Sequence, residues 1–481
     1  MRHLLPILLS LTLPALADIS LPAIFNHHMV LQRDKPVALW GTAAPGESVT
    51  AALSSFPTSV STTADATGQW RLTLPPMPAS STPATLTFRG ATTIGHTTTI
   101  ELTNILIGEV WLCSGQSNMQ MGLAKSQNGE QAVASAHHPA IRLFNVRNRI
   151  AEGDIQGNWA PATPASTEKF SAVGYYFGRQ LHADLDVPIG LIGVSWGATG
   201  IEAWTPASAL GQEPATRIAA REKAKAKYEA DLAAGLSPKI PQSLRPENGW
   251  GACYTALVRP ISGLTVRGVI WYQGEGNLGS GPRYADMLTR LIHAWRADFG
   301  QDLPFGIVQL PNNQPPSPTP AESNWATIRE AQRLAATQTT NTGLITTIDI
   351  GDPADGHPKN KKDVGQRLAF WALTELYNLP RPYHGPRLLS ATQSAEHVTL
   401  TFSHTGQSLT TKDTQPPAGF AIQTADNIWH WAPATLVPPS QIILPGRSIQ
   451  KIRYAYADNP AQANLTDATN LPAPPFEVIP R

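Results

Sequence analysis

Between residues 105 and 384, hydrophobic runs of strand length alternate with segments of helical periodicity, and few folds can satisfy that alternation. Ile105 to Leu112 reads as a first strand. Residues 168–185 place Phe170, Val173, Phe177 and Leu181 on one helical face. Ile189 to Val194, announced by Pro188, is a buried strand, and Val266 to Tyr272 is another. Residues 283–299 form an amphipathic helix through Tyr284, Met287, Leu288, Leu291 and Trp295, closed by Gly300. Phe305 to Leu310 is a strand. Trp325, Ile328, Ala331 and Ala335 mark a helix, Leu344 to Ile348 a strand, and Val364, Leu368, Trp371 and Ala372 a last helix. Strands separated by helices predict an α/β core with a parallel sheet covered on both faces.

The flanks differ in texture. Residues 18–104 carry short alternating runs (Val37 to Trp40, Trp70 to Leu74) between turn signals such as Ala44-Pro45-Gly46, which predicts an N-terminal β-sandwich domain. Residues 386–481 alternate again at Val398 to Phe402 and Ile452 to Tyr456, predicting a C-terminal β-rich domain. The catalytic domain is therefore expected at 105–385. Within it, residues 207–247 read as a helical surface insertion, its charges (Arg221, Glu222, Lys223, Lys225, Lys227, Glu229) forming a solvated face. At the amino terminus Arg2, the apolar run Leu4 to Pro14 and Ala15-Leu16-Ala17 form a signal-peptide pattern over residues 1–17. The run is shorter than the ~18 apolar residues that suggest a membrane span. An exported protein, periplasmic or secreted and free of the membrane, is expected to begin near Asp18.

The 36 basic and 35 acidic residues leave a net charge of +1, which gives no electrostatic reason for nucleic-acid binding. The two cysteines, Cys113 and Cys253, are too few for a disulfide framework or a four-cysteine zinc site and read as small buried hydrophobes. Oligomeric state leaves no trace in the sequence.

Ligands of open α/β sheets bind at the carboxyl ends of the strands. Four polar segments follow strands here: Ser114 to Met119, Ser195 to Gly200, Gln273 to Asn277, and Asp349, Asp352, Asp355 and His357. Together they hold the parts of an acyl-transfer site. Ser117 is a nucleophile that needs a base, and His357 is a base that can later act as acid. A carboxylate behind the imidazole would fix its tautomer. Gly197, lacking Cβ, lets a backbone N–H approach an oxyanion, and the side-chain amide of Gln273 or Asn277 is expected to add a donor. Gln116, Asn118 and Glu275 are expected to contact the substrate. Each element alone also fits a blander role, such as a capping serine or a loop histidine. Their coincidence at strand ends points to catalysis.

The chain resembles the sialate O-acetylesterase family of the SGNH hydrolase superfamily. The matching stretches are Met29-Val30-Leu31-Gln32-Arg33, Gly108 through Met119, Ser195-Trp196-Gly197 with Ile201-Glu202-Ala203-Trp204, Trp271-Tyr272-Gln273-Gly274-Glu275, His357-Pro358-Lys359-Asn360-Lys361, Arg453 through Pro460, and Asn464-Leu465. The likeness spans nearly the whole mature chain. It implies a flavodoxin-like three-layer core with accessory β domains, a Ser–His pair with an acid, no metal or other cofactor, and deacetylation of a carbohydrate. It places the nucleophile at Ser117, the base at His357, and the oxyanion at the N–H groups of Ser117 and Gly197. The superfamily's acid usually precedes the histidine by three residues, but Ala354 stands there. Asp355 is the expected acid, with Asp352 as the alternative. The superfamily's oxyanion asparagine is displaced as well, leaving Gln273 or Asn277, and Gly200 stands where relatives often carry proline.

The expected activity is hydrolysis of O-acetyl esters on sugars through an acetyl-serine. Acetylated sialic acid, xylan and pectic backbones are all candidate substrates. Two rivals predict other outcomes. A non-catalytic carbohydrate-binding protein would use some of the 13 tryptophans for stacking. A glycosidase would use paired carboxylates such as Glu275 and Asp352.

Overall fold

The computed structural model describes residues 18–57, 59–91, 97–406 and 408–481, so the expected signal peptide lies outside the described residues. Six parallel strands stand side by side in the order Thr342–Ile345, Phe305–Val308, Gly268–Tyr272, Thr97–Gly115, Ile189–Ser195, His138–Asn145, with Trp159–Ala162 antiparallel at the far edge. The five expected strands are all present. The sixth, His138–Asn145, escaped the sequence reading because Pro139 and Arg142 interrupt its apolar run.

Alternate side chains leave opposite faces of a strand, and both faces of this sheet are packed. Leu112, Val269, Trp271, Phe305 and Ile307 join a cluster with Leu288, Trp295 and Ile328 from the helices Gly281–Phe299 and Asn324–Gln338. Trp111, Cys113, Ile270, Tyr272 and Val308 join a second cluster with Val173, Phe177, Leu368 and Trp371 from the helices Ala172–Leu185 and Lys362–Tyr377. Fully burying one such aliphatic side chain stabilises the fold by about 1.5–3 kcal/mol. Cys113 and Cys253 are free and buried.

The flanking modules are less separate than their texture suggests. The boundary expected at 104/105 falls inside one 19-residue strand, Thr97–Gly115. Its first half pairs antiparallel with Ser80–Ala91, then Leu106–Gly108 pairs parallel with Val30–Gln32, and its last seven residues pair with Ile189–Ser195. Asn104, in the left-handed region at φ 60°, lies between the two uses. The C-terminal residues form two four-stranded antiparallel sheets and a two-stranded one around an apolar cluster that also takes in Ile348 of the core. The insertion contributes the helix Ala215–Ala233, which buries none of its side chains.

Register brings the site together. Gly115 is level with Ser195 on one side and Tyr272 on the other. The turns after these three strands therefore leave the sheet at one edge. A Cβ on Gly115 would lie 2.1 Å from the Tyr272 carbonyl oxygen, and its φ of 139° is strained for any other residue, so only glycine lets the chain turn here.

Candidate active site

Ser117 opens a single helical turn, Ser117–Gln120, two residues after that glycine, so its own N–H is among the first-turn groups that lack an intrahelical acceptor. His357 reaches it from a loop 240 residues later, with Nε2 2.8 Å from Ser117 Oγ. Asp355 Oδ1 accepts the His357 backbone N–H at 2.8 Å and lies 3.7 Å from His357 Nδ1. At that distance the carboxylate faces the ring without a hydrogen bond to it. The alternative acid is turned elsewhere, since Asp352 Oδ1 accepts the Ala354 N–H at 2.9 Å.

Two expected oxyanion donors are already committed. Gln273 is fully buried, and its Nε2 donates towards Asn277 Oδ1 (2.8 Å), Gln116 Oε1 (3.1 Å) and the Thr199 carbonyl (3.2 Å). Asn277 Nδ2 donates to Glu202 Oε2 at 2.9 Å, and its Oδ1 also receives the Ile201 N–H at 2.8 Å. Buried polar groups must be paired, and here that demand ties both amides into the frame. The side-chain amide beside Ser117 Oγ is Gln116, with Nε2 3.5 Å from it and Oε1 accepting the Gly276 N–H at 2.9 Å.

Gly197 does come beside Ser117, but its N–H donates to Gln120 Oε1 at 2.8 Å. The sequence reading passed over Gln120. Its spacing of three from Ser117 puts both on one side of a helical turn, which was the available signal. An exposed side chain thus holds the donor that an oxyanion would need. Because one neutral hydrogen bond is worth about 0.5–1.5 kcal/mol, Gln120→Ala is expected to raise kcat/KM by about two- to ten-fold. Steady-state kinetics on an aryl acetate checks this, and a fall would mean that Gln120 assists rather than competes.

Asn118 and Glu275 do not face a substrate as expected. Asn118 is fully buried, and its Nδ2 donates both to Glu275 Oε1 (2.5 Å) and to the carbonyl of Gly356 (2.9 Å), the residue before His357. Its Oδ1 accepts from Lys361 Nζ at 2.5 Å. Lys361 is also fully buried and lies 5.3 Å from the centre of the Tyr272 ring. Burial pushes the Glu275 carboxyl up, and burial holds Lys361 down to about 7 while Glu275 and Asp355 favour its charge. Glu275 Oε2 is sealed from solvent with no hydrogen-bond partner. A lysine, an amide and a carboxylate thus form a buried chain directly beneath Ser117 and His357.

A groove of about 660 Å³ opens beside the pair, lined by His357, Asp355, Lys125, Lys359 and Glu130. The arrangement offers a hydroxyl, an imidazole, a facing carboxylate and N–H donors around one point. Those are the requirements for acyl transfer.

A family model described as carbohydrate esterase, sialic acid-specific acetylesterase matches residues 107–235 and 244–374. The sialate O-acetylesterase of Mus musculus is 27% identical, the match covering 94% of this chain and 92% of that protein. The Homo sapiens sialate O-acetylesterase is 27% identical over 94% of this chain and 91% of its own. Among solved structures, a carbohydrate acetylesterase from Xanthomonas citri is similar at TM-score 0.82 and 32% identity, covering 96% of this chain and 99% of that one.

Proposed function

The chain belongs to the carbohydrate esterase family of sialic acid-specific acetylesterases, and from that premise we propose how its own residues cleave the O-acetyl esters of sugars. The observation that carries the mechanism is the 2.8 Å contact between His357 Nε2 and Ser117 Oγ. Ser117 Oγ attacks the acetyl carbonyl carbon while His357 Nε2 takes its proton. The carbonyl oxygen becomes an oxyanion, received by the N–H groups of Ser117 and Gly197 and by the Gln116 amide, Gln120 having swung away. Such donors act on charge that develops only in the transition state, and losing one typically costs about 3–4 kcal/mol. The ester C–O bond breaks and the sugar alkoxide leaves with the proton held by His357. Water then attacks the acetyl-serine with His357 taking its proton, and as the bond to Ser117 Oγ breaks His357 returns that proton to the serine and acetate is released. Asp355, facing Nδ1, stabilises the imidazolium formed in each step.

The strand order 2-1-3-4-5, counted over the five strands expected from the sequence, supports the flavodoxin-like reading of the core. As substrate we favour an O-acetylated sialate over xylan, because the matching family model is described as sialic acid-specific, while the groove beside His357 sets Lys125 and Lys359 against Glu130 and Asp355 and selects no charge of its own. The charge pattern of residues 1–17 supports export to the periplasm or medium.

Acetate release from a panel of acetylated sialic acid, xylan and pectin tests the reading, with the sialate expected fastest. The rate is expected to fall on the acid side, because protonated His357 cannot accept the Ser117 proton. A pH profile that stays flat through the acid range would remove His357 from the role of base. Release from none of the three would overturn the activity.

A further inference from the structure

A series of hydrogen bonds links the loop carrying His357 to the C-terminal module. In the core helix Asn324–Gln338, Arg329 is fully buried and donates to four carbonyls. Two follow the strand Phe305–Val308: Leu310 at 2.8 Å and Pro311 at 2.6 Å. The other two belong to the C-terminal module: Ala457 at 2.5 Å and Asp458 at 2.7 Å. Its guanidinium therefore clamps the end of a sheet strand to the Ala457-Asp458-Asn459 turn. Asp458 Oδ1 also accepts from Ser323 Oγ at 2.5 Å, at the cap of the same helix.

From that turn an unbroken series of hydrogen bonds leads to the catalytic histidine. The Asp458 carbonyl accepts the Asn313 N–H at 3.1 Å. Asn459, buried, donates from Nδ2 to the Gln314 carbonyl at 2.8 Å and accepts from Asn312 Nδ2 at 3.4 Å. The 312–314 segment in turn grips residues 351–353. Asn312 Oδ1 accepts the Gly351 N–H at 2.7 Å, Asn313 Nδ2 donates to the Asp352 carbonyl at 3.2 Å, and the Gln314 N–H donates to the Pro353 carbonyl at 3.0 Å. The approach is so close that a Cβ on Gly351 would lie 2.2 Å from the Asn312 carbonyl oxygen. Asp352 then receives the N–H groups of Ala354 and Asp355, and Asp355 receives that of His357.

We propose that Asn459 of the C-terminal module is a positioning residue for His357, acting through the 312–314 and 351–353 segments. The module is then a structural part of the active site rather than a detachable sugar-binding appendage. Asn459 touches no reacting atom. It fixes a backbone on which the half-exposed Asp355 and His357 are carried, from the side opposite the anchor that Asn118 makes to the Gly356 carbonyl. A reacting group displaced by about 1 Å loses about 100-fold in rate even when the cause is remote.

The inference rests on the esterase reading above, and one set of full-length variants separates the two. Wild-type turnover that Ser117→Ala abolishes establishes the reading by itself. Against that wild type, Asn459→Ala is expected to lower kcat by about 10- to 100-fold with KM changed by no more than about two-fold. Leu400→Ala, in the module's own apolar core, serves as a control. It is expected to lower Tm while leaving kcat unchanged at temperatures well below unfolding. If Asn459→Ala fails to fold, Asn312→Ala carries the same prediction from the core side of the clamp. A kcat within about two-fold of wild type in whichever variant folds, or an equal loss in Leu400→Ala, overturns the proposal.

Discussion

Replacing Ser117 with alanine is expected to lower acetate release by at least about 10,000-fold with the fold intact. The magnitude follows from what the hydroxyl does. In the proposed mechanism it forms the bond that splits one difficult displacement into two easier ones, and no neighbouring group replaces it. In other enzymes with an activated serine, losing the nucleophile costs about a million-fold, with the residue of catalysis coming from oxyanion donors and binding. Here those donors stay in place without the serine oxygen, because Gln116 remains anchored through Oε1 to the Gly276 N–H and Gly197 supplies a backbone N–H. Half-buried Ser117 fills no apolar core, so Tm should move little. Initial rates on an aryl acetate, beside a thermal melt, measure both. A folded Ser117→Ala protein with substantial turnover would mean that a different group attacks.

The second large effect concerns the buried chain under the catalytic pair. Lys361→Met removes the cation that offsets Glu275 and the donor that satisfies Asn118 Oδ1. Breaking a buried charge pair by deleting one member typically costs about 3–5 kcal/mol, because the partner charge stays buried and uncompensated. The loss depends on pH in a defined direction. In the wild type the folded Lys361 titrates at about 7, below its ordinary value of 10.5. Between those two values the unfolded chain binds the extra proton, so this residue's contribution to stability rises with pH across that window. In the variant, Glu275 has lost a cation that favoured its charge, so ionising it costs more as pH rises. Both effects widen the gap between wild type and variant in the same sense. Denaturant midpoints should therefore separate more at pH 8 than at pH 5. The double variant Lys361→Met/Glu275→Gln should recover much of the stability, since no unpaired charge remains. A gap that is constant with pH, or no recovery in the double variant, would show that Lys361 and Glu275 are not energetically coupled.

What could be read from the sequence follows a physical division. The strands around Cys113, Val194 and Trp271 are legible because a parallel sheet buried on both faces demands near-continuous apolar runs. The turns after them are legible because Gly115, Gly197 and Gly274 interrupt those runs. Strand ends then bring Ser117, Gly197 and Gln273 to one edge without any knowledge of side-chain direction. Direction is what the sequence withholds. Gln273 and Asn277 stand beside the nucleophile in the chain's layout, yet burial turns their amides inward to partners on Thr199, Glu202 and Gln116. Lys361 reads as a surface charge in a polar loop, and only tertiary packing reveals it beneath Asn118. Likewise nothing local joins Asn459 to the histidine loop, since each link in that series crosses between distant segments. The strand at His138–Asn145 was missed for a different reason. Arg142 lies inside it, buried and hydrogen-bonded to Asn104 Oδ1 and the Pro139 carbonyl. A charged residue in a buried strand defeats an apolar pattern.

In the proposed mechanism the acetyl group passes through Ser117 Oγ. The most direct measurement is rapid mixing with an aryl acetate, acid quenching within one turnover, digestion, and mass spectrometry of the peptide that contains Gly115 to Met121. One acetyl group is expected on that peptide, located at Ser117, which decays on a chase without substrate and is absent from Ser117→Ala. Acetate release with this peptide unmodified at every time point, or the acetyl group found on another side chain, would contradict it.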